Sequence, residues 1–223
     1  MKLLAIETSQ AIGSVAILDD EHLLERLIDT PRQQTEQIIP IVDELLAESG
    51  FRLQSLDALV FGRGPGSFTG LRVAAAVTQG LALSSGLGVI GVSSLAAIAQ
   101  RAWREQAIKH ALVCIDARMA EVYWASFQVD AAVAECVGVE RIGRANTVEK
   151  PDAVHFAAVG NGFTAYADEF APLLAQADRL LPDVLPSARD LLPQARRDYA
   201  EGRLLQPENA LPVYLRDESA WHR

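Results

Sequence analysis

The sequence is short of the residues that staple, ligate or anchor a chain. Its 223 residues include two cysteines, Cys114 and Cys136, each alone in an apolar segment, with neither C-x-x-C nor zinc-finger spacing. Both are expected as buried, reduced thiols. The four histidines, His22, His110, His155 and His222, are scattered. None has a second histidine four residues on, and H-E-x-x-H is absent, which removes the usual helical zinc pair. No G-x-S-x-G marks a nucleophile elbow. No apolar run reaches ~18 residues, so no membrane span is expected. The apolar start at residues 3–6 stops at Glu7, too soon for a signal segment. A cytoplasmic protein is the expectation. Basic clusters are missing too: 20 Lys and Arg stand against 29 Asp and Glu, a formal charge of −9. Such a surface repels phosphate backbones, so any work on RNA would need a partner to hold it.

What remains is an ordinary globular composition, 50% hydrophobic and 22% charged. A chain of this length hides roughly 70% of its unfolded surface and needs no staples. Three strands within the first thirty residues read as an antiparallel meander, and the segment from 111 to 127 starts a second set in the same way. Two similar α/β lobes are therefore expected. The polar, charged stretch 101–110 puts the boundary at 104/105, giving lobes 1–104 and 105–223. The Pro-rich stretch 181–193 and the segment 207–216 read as connections with short elements. Within the tail 207–223, which either packs on the first lobe or stays apart, residues 217–223 read as frayed.

The chain is organised around residues 62–72, Gly-Arg-Gly-Pro-Gly-Ser-Phe-Thr-Gly-Leu-Arg. An apolar run, 58–61, leads in and a small-residue segment leads out, so the order is strand, glycine-rich turn, helix. That geometry often holds phosphates. Neither phosphate fingerprint fits, because no Lys follows these glycines and G-x-G-x-x-G is not met. A tight turn against a neighbouring element is the stronger reading on spacing alone.

Two helices look too apolar for a surface. In the first, Thr35 reads as an N-cap, and Ile38, Ile39, Ile41, Val42, Leu45 and Leu46 follow helical spacing up to Gly50, with Pro40 inside. Their arc is wider than one core contact needs, and Ile41 lies on its edge beside Gln34, Gln37 and Glu44. In the second, Val73, Val77, Gly80 and Leu81 suit packing on the parent sheet. The other side carries Arg72, Ala75, Ala76, Gln79 and Leu83, with few charges anywhere. Such a helix is buried on both sides or carries a partner surface. Elsewhere, Asp19-Asp20 and Asp43-Glu44 read as a turn and a solvated face. Asp116, Arg118 and Glu121 gather at one hairpin, as a ligand or partner contact or as a salt-bridged turn.

Four stretches in order, residues 4–9 (LAIETS), 62–72 (GRGPGSFTGLR), 115–123 (IDARMAEVY) and 212–216 (PVYLR), resemble the bacterial TsaB (YeaZ) family. Its members are partner subunits of the machinery that makes threonylcarbamoyladenosine at position 37 of tRNAs reading ANN codons. The resemblance implies an α/β fold with two lobes of the actin-like ATPase, sugar kinase and Hsp70 type (ribonuclease H-like). It implies a non-catalytic subunit similar to the transferase TsaD but lacking its active site. Such a subunit docks TsaD through helices 33–49 and 70–84, with the small P-loop ATPase TsaE joining the assembly. The partner-binding residues would be Gln34, Gln37, Ile41, Glu44, Arg72, Ala75, Ala76, Gln79 and Leu83. The same surface would make a homodimer when the chain is alone, and tRNA would be contacted indirectly.

The catalytic relatives hold metal through a His-x-x-x-His pair on the first helix. The corresponding residues 32–38 contain no His, and Gln34 stands about where many TsaB-like sequences carry one, so no metal site is expected. No cofactor of its own is expected either. Weak ATP or ADP binding at the complex interface stays open, with Glu7, Thr8, Ser9, Gly160 and Gly162 as nucleotide-facing candidates. Two alternatives remain: a nucleotide-dependent phosphotransferase of the same fold using Glu7 or Asp116 as its acid, and, less favoured, a metallopeptidase.

Overall fold

Alternation along the first strand sets the layering of the N-terminal part. In β1 (Lys2–Glu7), Leu4 and Ile6 join one apolar cluster and Leu3 and Ala5 another, all fully buried. A strand buried on both faces is a central strand with cover on each side. The computed structural model describes residues 1–20, 22–29 and 34–216. In it the chain divides into two compact units, Met1–Ala97 with Pro186–Pro212, and Ile98–Leu185 with the chain from Val213 onward.

The first unit holds a five-stranded sheet in the order β3-β2-β1-β4-β5, with β2 (Gly13–Asp19), β3 (His22–Ile28), β4 (Ala58–Gly64) and β5 (Val89–Ser93). The expected meander is present as β1–β2–β3, and β4 and β5 run parallel to β1. The parallel pairings demand crossovers, supplied by α1 (Gln34–Ser49) and α2 (Phe68–Ser85). Both pack on one face of the sheet, through Ile38, Val42 and Leu45 of α1 and Ala74, Ala75 and Ala82 of α2. Thr35 lies inside α1 rather than capping it, and the start expected at residue 33 falls outside the described residues. The C-terminal stop is as expected: Gly50 takes φ +71°, and Phe51 N–H donates to the Leu46 carbonyl at 3.0 Å.

A single cut at 104/105 does not describe these units. The helix α3 (Ser94–Gln106) crosses the division, with Ser93 Oγ accepting from the N–H groups of Leu95 and Ala96 at 3.1 Å each. The stretch expected as a connection with short elements, 181–193, instead runs into a helix of 13 residues that belongs to the first unit.

The second unit repeats the first. Its sheet, β10-β9-β6-β7-β8, is built from β6 (His110–Arg118), β7 (Glu121–Asp130), β8 (Val133–Gly143), β9 (Ala157–Val159) and β10 (Arg179–Leu181). Again the first three strands form an antiparallel meander and the last two run parallel to the first. Short helices α4 (Gly162–Ala165) and α5 (Ala167–Leu174) cover a core of Leu112, Cys114, Trp124, Phe156, Phe163 and Phe170. Phe163 and Phe170 meet edge to face at 4.8 Å. Cys114 is buried as expected, and burial pushes its thiol up, which keeps it inert. Cys136 is a correction: it lies exposed on β8, an edge strand.

The returning helix is α6 (Ala188–Ala200). Its buried Ala188, Leu191, Leu192 and Ala195 close the second face of the first sheet against Leu3, Ala5, Ala16 and Val60. Pro193, the last residue of the Pro-rich stretch 181–193, sits inside it. Two side chains of the hairpin fix its start. Ser14 Oγ accepts from Ala188 N–H at 2.7 Å, and Glu25 accepts from Arg189 N–H and the Ser187 hydroxyl.

Candidate functional site

The glycine-rich turn folds onto the end of β1, so its glycines make room for the protein's own backbone. A Cβ on Gly70 would stand 1.8 Å from the Thr8 carbonyl oxygen. That glycine is required by close approach. The contact is two-sided, since Thr8 Oγ1 donates to the Gly70 carbonyl at 2.7 Å. One step earlier, Ser67 N–H donates to the Ser9 carbonyl at 2.8 Å, and Ser67 Oγ caps α2 by accepting from Gly70 N–H. Of the two uses considered for this turn, the structure displays packing against residues 7–9.

Glu7, Thr8 and Ser9 are consequently enclosed, a correction to their placement as nucleotide-facing groups. The Glu7 carboxyl accepts from Ser9 N–H at 2.5 Å and from the Ser94 hydroxyl at 2.9 Å. Burial raises its pKa above the ordinary 4.5, against the opposing pull of the bonds from Ser9 and Ser94. A raised carboxyl pKa stabilises the fold most below pH 4.5, where both states are protonated. That contribution is lost as pH rises, because the unfolded chain releases the proton first. Glu7→Gln keeps both bonds, its carbonyl accepting from Ser9 and its amide donating to Ser94. The variant is expected to show a flatter profile of urea midpoint against pH between 4.5 and 7, and at pH 7 a midpoint at or above the parent's. A midpoint well below the parent's at pH 7 would show that the ionised carboxylate itself stabilises the fold.

The strand-end groups of the second unit are also committed internally. Gly160, at φ +106°, has its Cβ direction blocked by the Cys114 carbonyl at 2.4 Å, and Gly162 lies against Cys114 Sγ. Neither glycine has room for a side chain, so both are required by packing against Cys114. Asn161 Oδ1 accepts from Asp116 N–H at 3.0 Å. Asp116 in turn accepts from Tyr166 OH at 3.0 Å and Arg118 N–H at 2.8 Å, and its carboxylate pairs with the Arg118 guanidinium at 3.1 Å.

Beside this group, Arg118, Met119 and Ala120 are three successive residues in the left-handed region. Arg216 braces them, its Nη2 donating to the carbonyls of Ala117 and Arg118 and to Glu121 at 2.6 Å. Of the readings for Asp116, Arg118 and Glu121, the geometry is that of a salt-bridged turn.

The face shared by α1 and α2 differs from the expected one. On α2 the sheet side is Leu71, Ala74, Ala75, Thr78 and Ala82, while Val73, Val77 and Leu81 are half-buried and Gly80 is exposed. Ala75 is 4% exposed and part of the core, so it is removed from the partner-binding set. Arg72, Ala76, Gly80 and Leu83 do point outward, Leu83 at 72% exposure, with the Arg72 guanidinium 3.5 Å above the Phe68 ring. Gln79 is half-buried and donates to the Ala210 carbonyl at 3.2 Å, so the returning chain already occupies it.

On α1, Gln34 is 7% exposed and its amide reaches the carbonyls of Gln10 and Ala11 at 3.2 Å, another correction. Gln37, Ile41 and Glu44 share a flank, and Glu44 pairs with Arg26 of β3 at 2.9 Å. The outward residues of α1 are Glu36, Pro40, Asp43 and Ala47, with Ile39, 52% exposed, on the opposite flank. Sequence spacing put Ile39 in the apolar arc and Gly80 on the sheet side, and neither in the partner-binding set. Taking Ile38, Val42 and Leu45 as the sole core stripe of α1 would have left Ile39 outside it.

Among the described residues, no three His, Cys, Asp or Glu side chains gather closely enough to share a metal ion. No helix among them is long and apolar enough to cross a membrane.

Comparison with known proteins gives these features a family. Residues 29–177, more than half of the chain, match the family described as TsaD, tRNA N6-adenosine threonylcarbamoyltransferase. The tRNA threonylcarbamoyladenosine biosynthesis protein TsaB of Escherichia coli (strain K12) is 40% identical over all of this chain and 98% of its own. The Haemophilus influenzae protein of the same name is 35% identical over all of this chain and 97% of its own. Among solved structures, YeaZ from Pseudomonas aeruginosa superposes with a TM-score of 0.87 at 38% identity, covering 96% of this chain and 99% of that one. A second Pseudomonas aeruginosa structure, of an uncharacterised protein with similarity to peptidase YeaZ, gives 0.89 at 39% identity and the same coverage. The duplicated α/β sheet belongs to the TsaD-related branch of proteins. Within that branch the chain belongs to the TsaB (YeaZ) family.

Proposed function

We propose that this chain is a non-catalytic, activating subunit in tRNA threonylcarbamoyladenosine biosynthesis, docking a TsaD-type transferase through the outward face of α1 and α2. The observation that carries the reading is the apolar strip Ile39, Ala76, Gly80 and Leu83, exposed on two helices whose other faces already fill the core. The TsaB name borne by its 40% identical relative supplies the pathway. The same strip would close a homodimer when the chain is alone, and a TsaE-like ATPase would join the assembly with tRNA held by the other components. No cofactor of its own is assigned, and ATP or ADP would sit at an interface of the complex.

Support for a non-catalytic role comes from the candidate acids. Glu7 is enclosed, and the Asp116 carboxylate is engaged by Tyr166 and Arg118. A phosphotransferase of this fold would need one of them free beside a phosphate. The reading is tested by reconstitution with the transferase, tRNA and the threonylcarbamoyl donor. The chain alone is expected to transfer nothing, and adding it to the transferase is expected to raise the rate at least tenfold, about 1.4 kcal/mol in barrier. Transfer by the chain alone, or no change on its addition, would overturn the reading.

A further inference from the structure

The occupant of the α1–α2 face can be specified by charge. The 16 residues of α1 contain no Lys or Arg, and its outward side presents Glu36 and Asp43 on either side of Pro40. Glu44 and Glu48, on the flank toward β3, are both engaged by Arg26. Across the strip, α2 adds one outward cation, Arg72, which is stacked on Phe68. Between these charges the surface is low and apolar. A Cβ added at Gly80 would meet nothing within 4 Å, Ala76 is small, and Ile39 and Leu83 rise at the sides.

From this arrangement we infer that the face is built for a helix carrying Lys or Arg opposite Glu36 and Asp43 and a bulky apolar side chain over Ala76 and Gly80, in preference to a second copy of this chain. The inference rests on the docking role proposed above and adds the chemistry of the partner. A second copy brings the same acidic stripe on a chain of net charge −9, two like-charged faces on which α1 and α2 themselves supply one outward Arg each, stacked on Phe68. Opposite charges at a rim speed association and select between partners, while like charges suppress the wrong one. The two assemblies should therefore respond to salt with opposite signs. Raising ionic strength weakens the heterodimer by screening attraction and tightens the homodimer by screening repulsion.

Dissociation constants of the chain with itself and with the transferase, measured by sedimentation between 50 and about 500 mM NaCl, test this directly. Asp43→Lys, mid-helix and exposed, is expected to weaken the heterodimer by about 5- to 10-fold at low salt and to tighten the homodimer. Glu36→Gln removes one charge without placing a cation at the helix N-terminus, and should act in the same sense at about 2-fold. Opposite salt responses with this pattern of variants support the inference. Equal responses, or a heterodimer indifferent to Asp43→Lys, overturn it while leaving the docking role standing. No association of the parent chain with the transferase at any salt overturns the docking role and the inference with it.

Discussion

Ala76→Arg is expected to abolish association with the transferase while leaving the melting temperature of the isolated chain unchanged within about 2 °C, compared at a concentration where the parent is also monomeric. Ala76 is exposed in the middle of the apolar strip, so a long charged side chain there meets only water in the free chain. In a complex it would prop the helices apart and bury a cation against Gly80 and Leu83. Central interface positions commonly carry 2 kcal/mol or more, so a loss of about 30-fold or greater is expected. Its neighbour supplies the contrast. Ala75 is 4% exposed and packed among Leu4, Ile6, Phe61 and the other residues of the first core. Ala75→Arg must either bury an unpaired charge or break the α2–sheet packing, at a cost of about 4 kcal/mol or more. Loss of soluble, folded protein with Ala75→Arg and loss of association alone with Ala76→Arg would place the boundary between core and docking face within one peptide unit.

The second large effect lies in the glycine-rich turn. Gly70→Ala brings a Cβ to 1.8 Å from the Thr8 carbonyl oxygen, a buried backbone atom one residue past the paired end of β1 and not the far end of a flexible side chain. Either the start of α2 or the end of β1 must move, breaking the bonds from Thr8 Oγ1 to Gly70 and from Ser67 to Ser9. An overpacking penalty of about 3 kcal/mol or more is expected, readable as a lowered urea midpoint. Gly80→Ala is the control on the same helix. Nothing lies within 4 Å of the new methyl group, and alanine replaces glycine in a helix interior. That substitution is expected to stabilise the isolated chain by about 0.5–1 kcal/mol. Equal effects from the two would mean that the turn is not packed against residues 7–9 as described.

The contrast between positions 75 and 76 also shows where sequence patterning stops. The meanders, the strand–turn–helix order around residues 62–72 and the helix ending at Gly50 are legible because their residues differ sharply in polarity or conformational freedom. Strands alternate, and Gly50 must take a positive φ. The helix α2 offers no such contrast. A segment of Val, Ala, Leu and Gly is apolar in every direction, so its orientation is decided by the shape of the sheet beneath it: Ala74, Ala75 and Thr78 take the deepest positions, and Val73, Val77 and Leu81 pack half-buried against the same core. The amide of Gln34 is buried for a reason local pattern does not carry, namely two carbonyls in the β1–β2 turn. Glu7 is similar: a carboxylate at a strand end is solvated in most settings, and only the glycines of a distant turn enclose it. The helix α6 was masked by Pro193, a residue whose helix-breaking tendency is outweighed where Leu191, Leu192 and Ala195 cover a sheet face.

Light scattering on the purified chain, alone and mixed with the TsaD-type transferase of the same source, tests the central claim most directly. The account predicts a homodimer that converts to a 1:1 heterodimer on mixing, and no conversion when the chain carries Ala76→Arg. A chain that ignores the transferase, or an Ala76→Arg variant that pairs with it as the parent does, would contradict it.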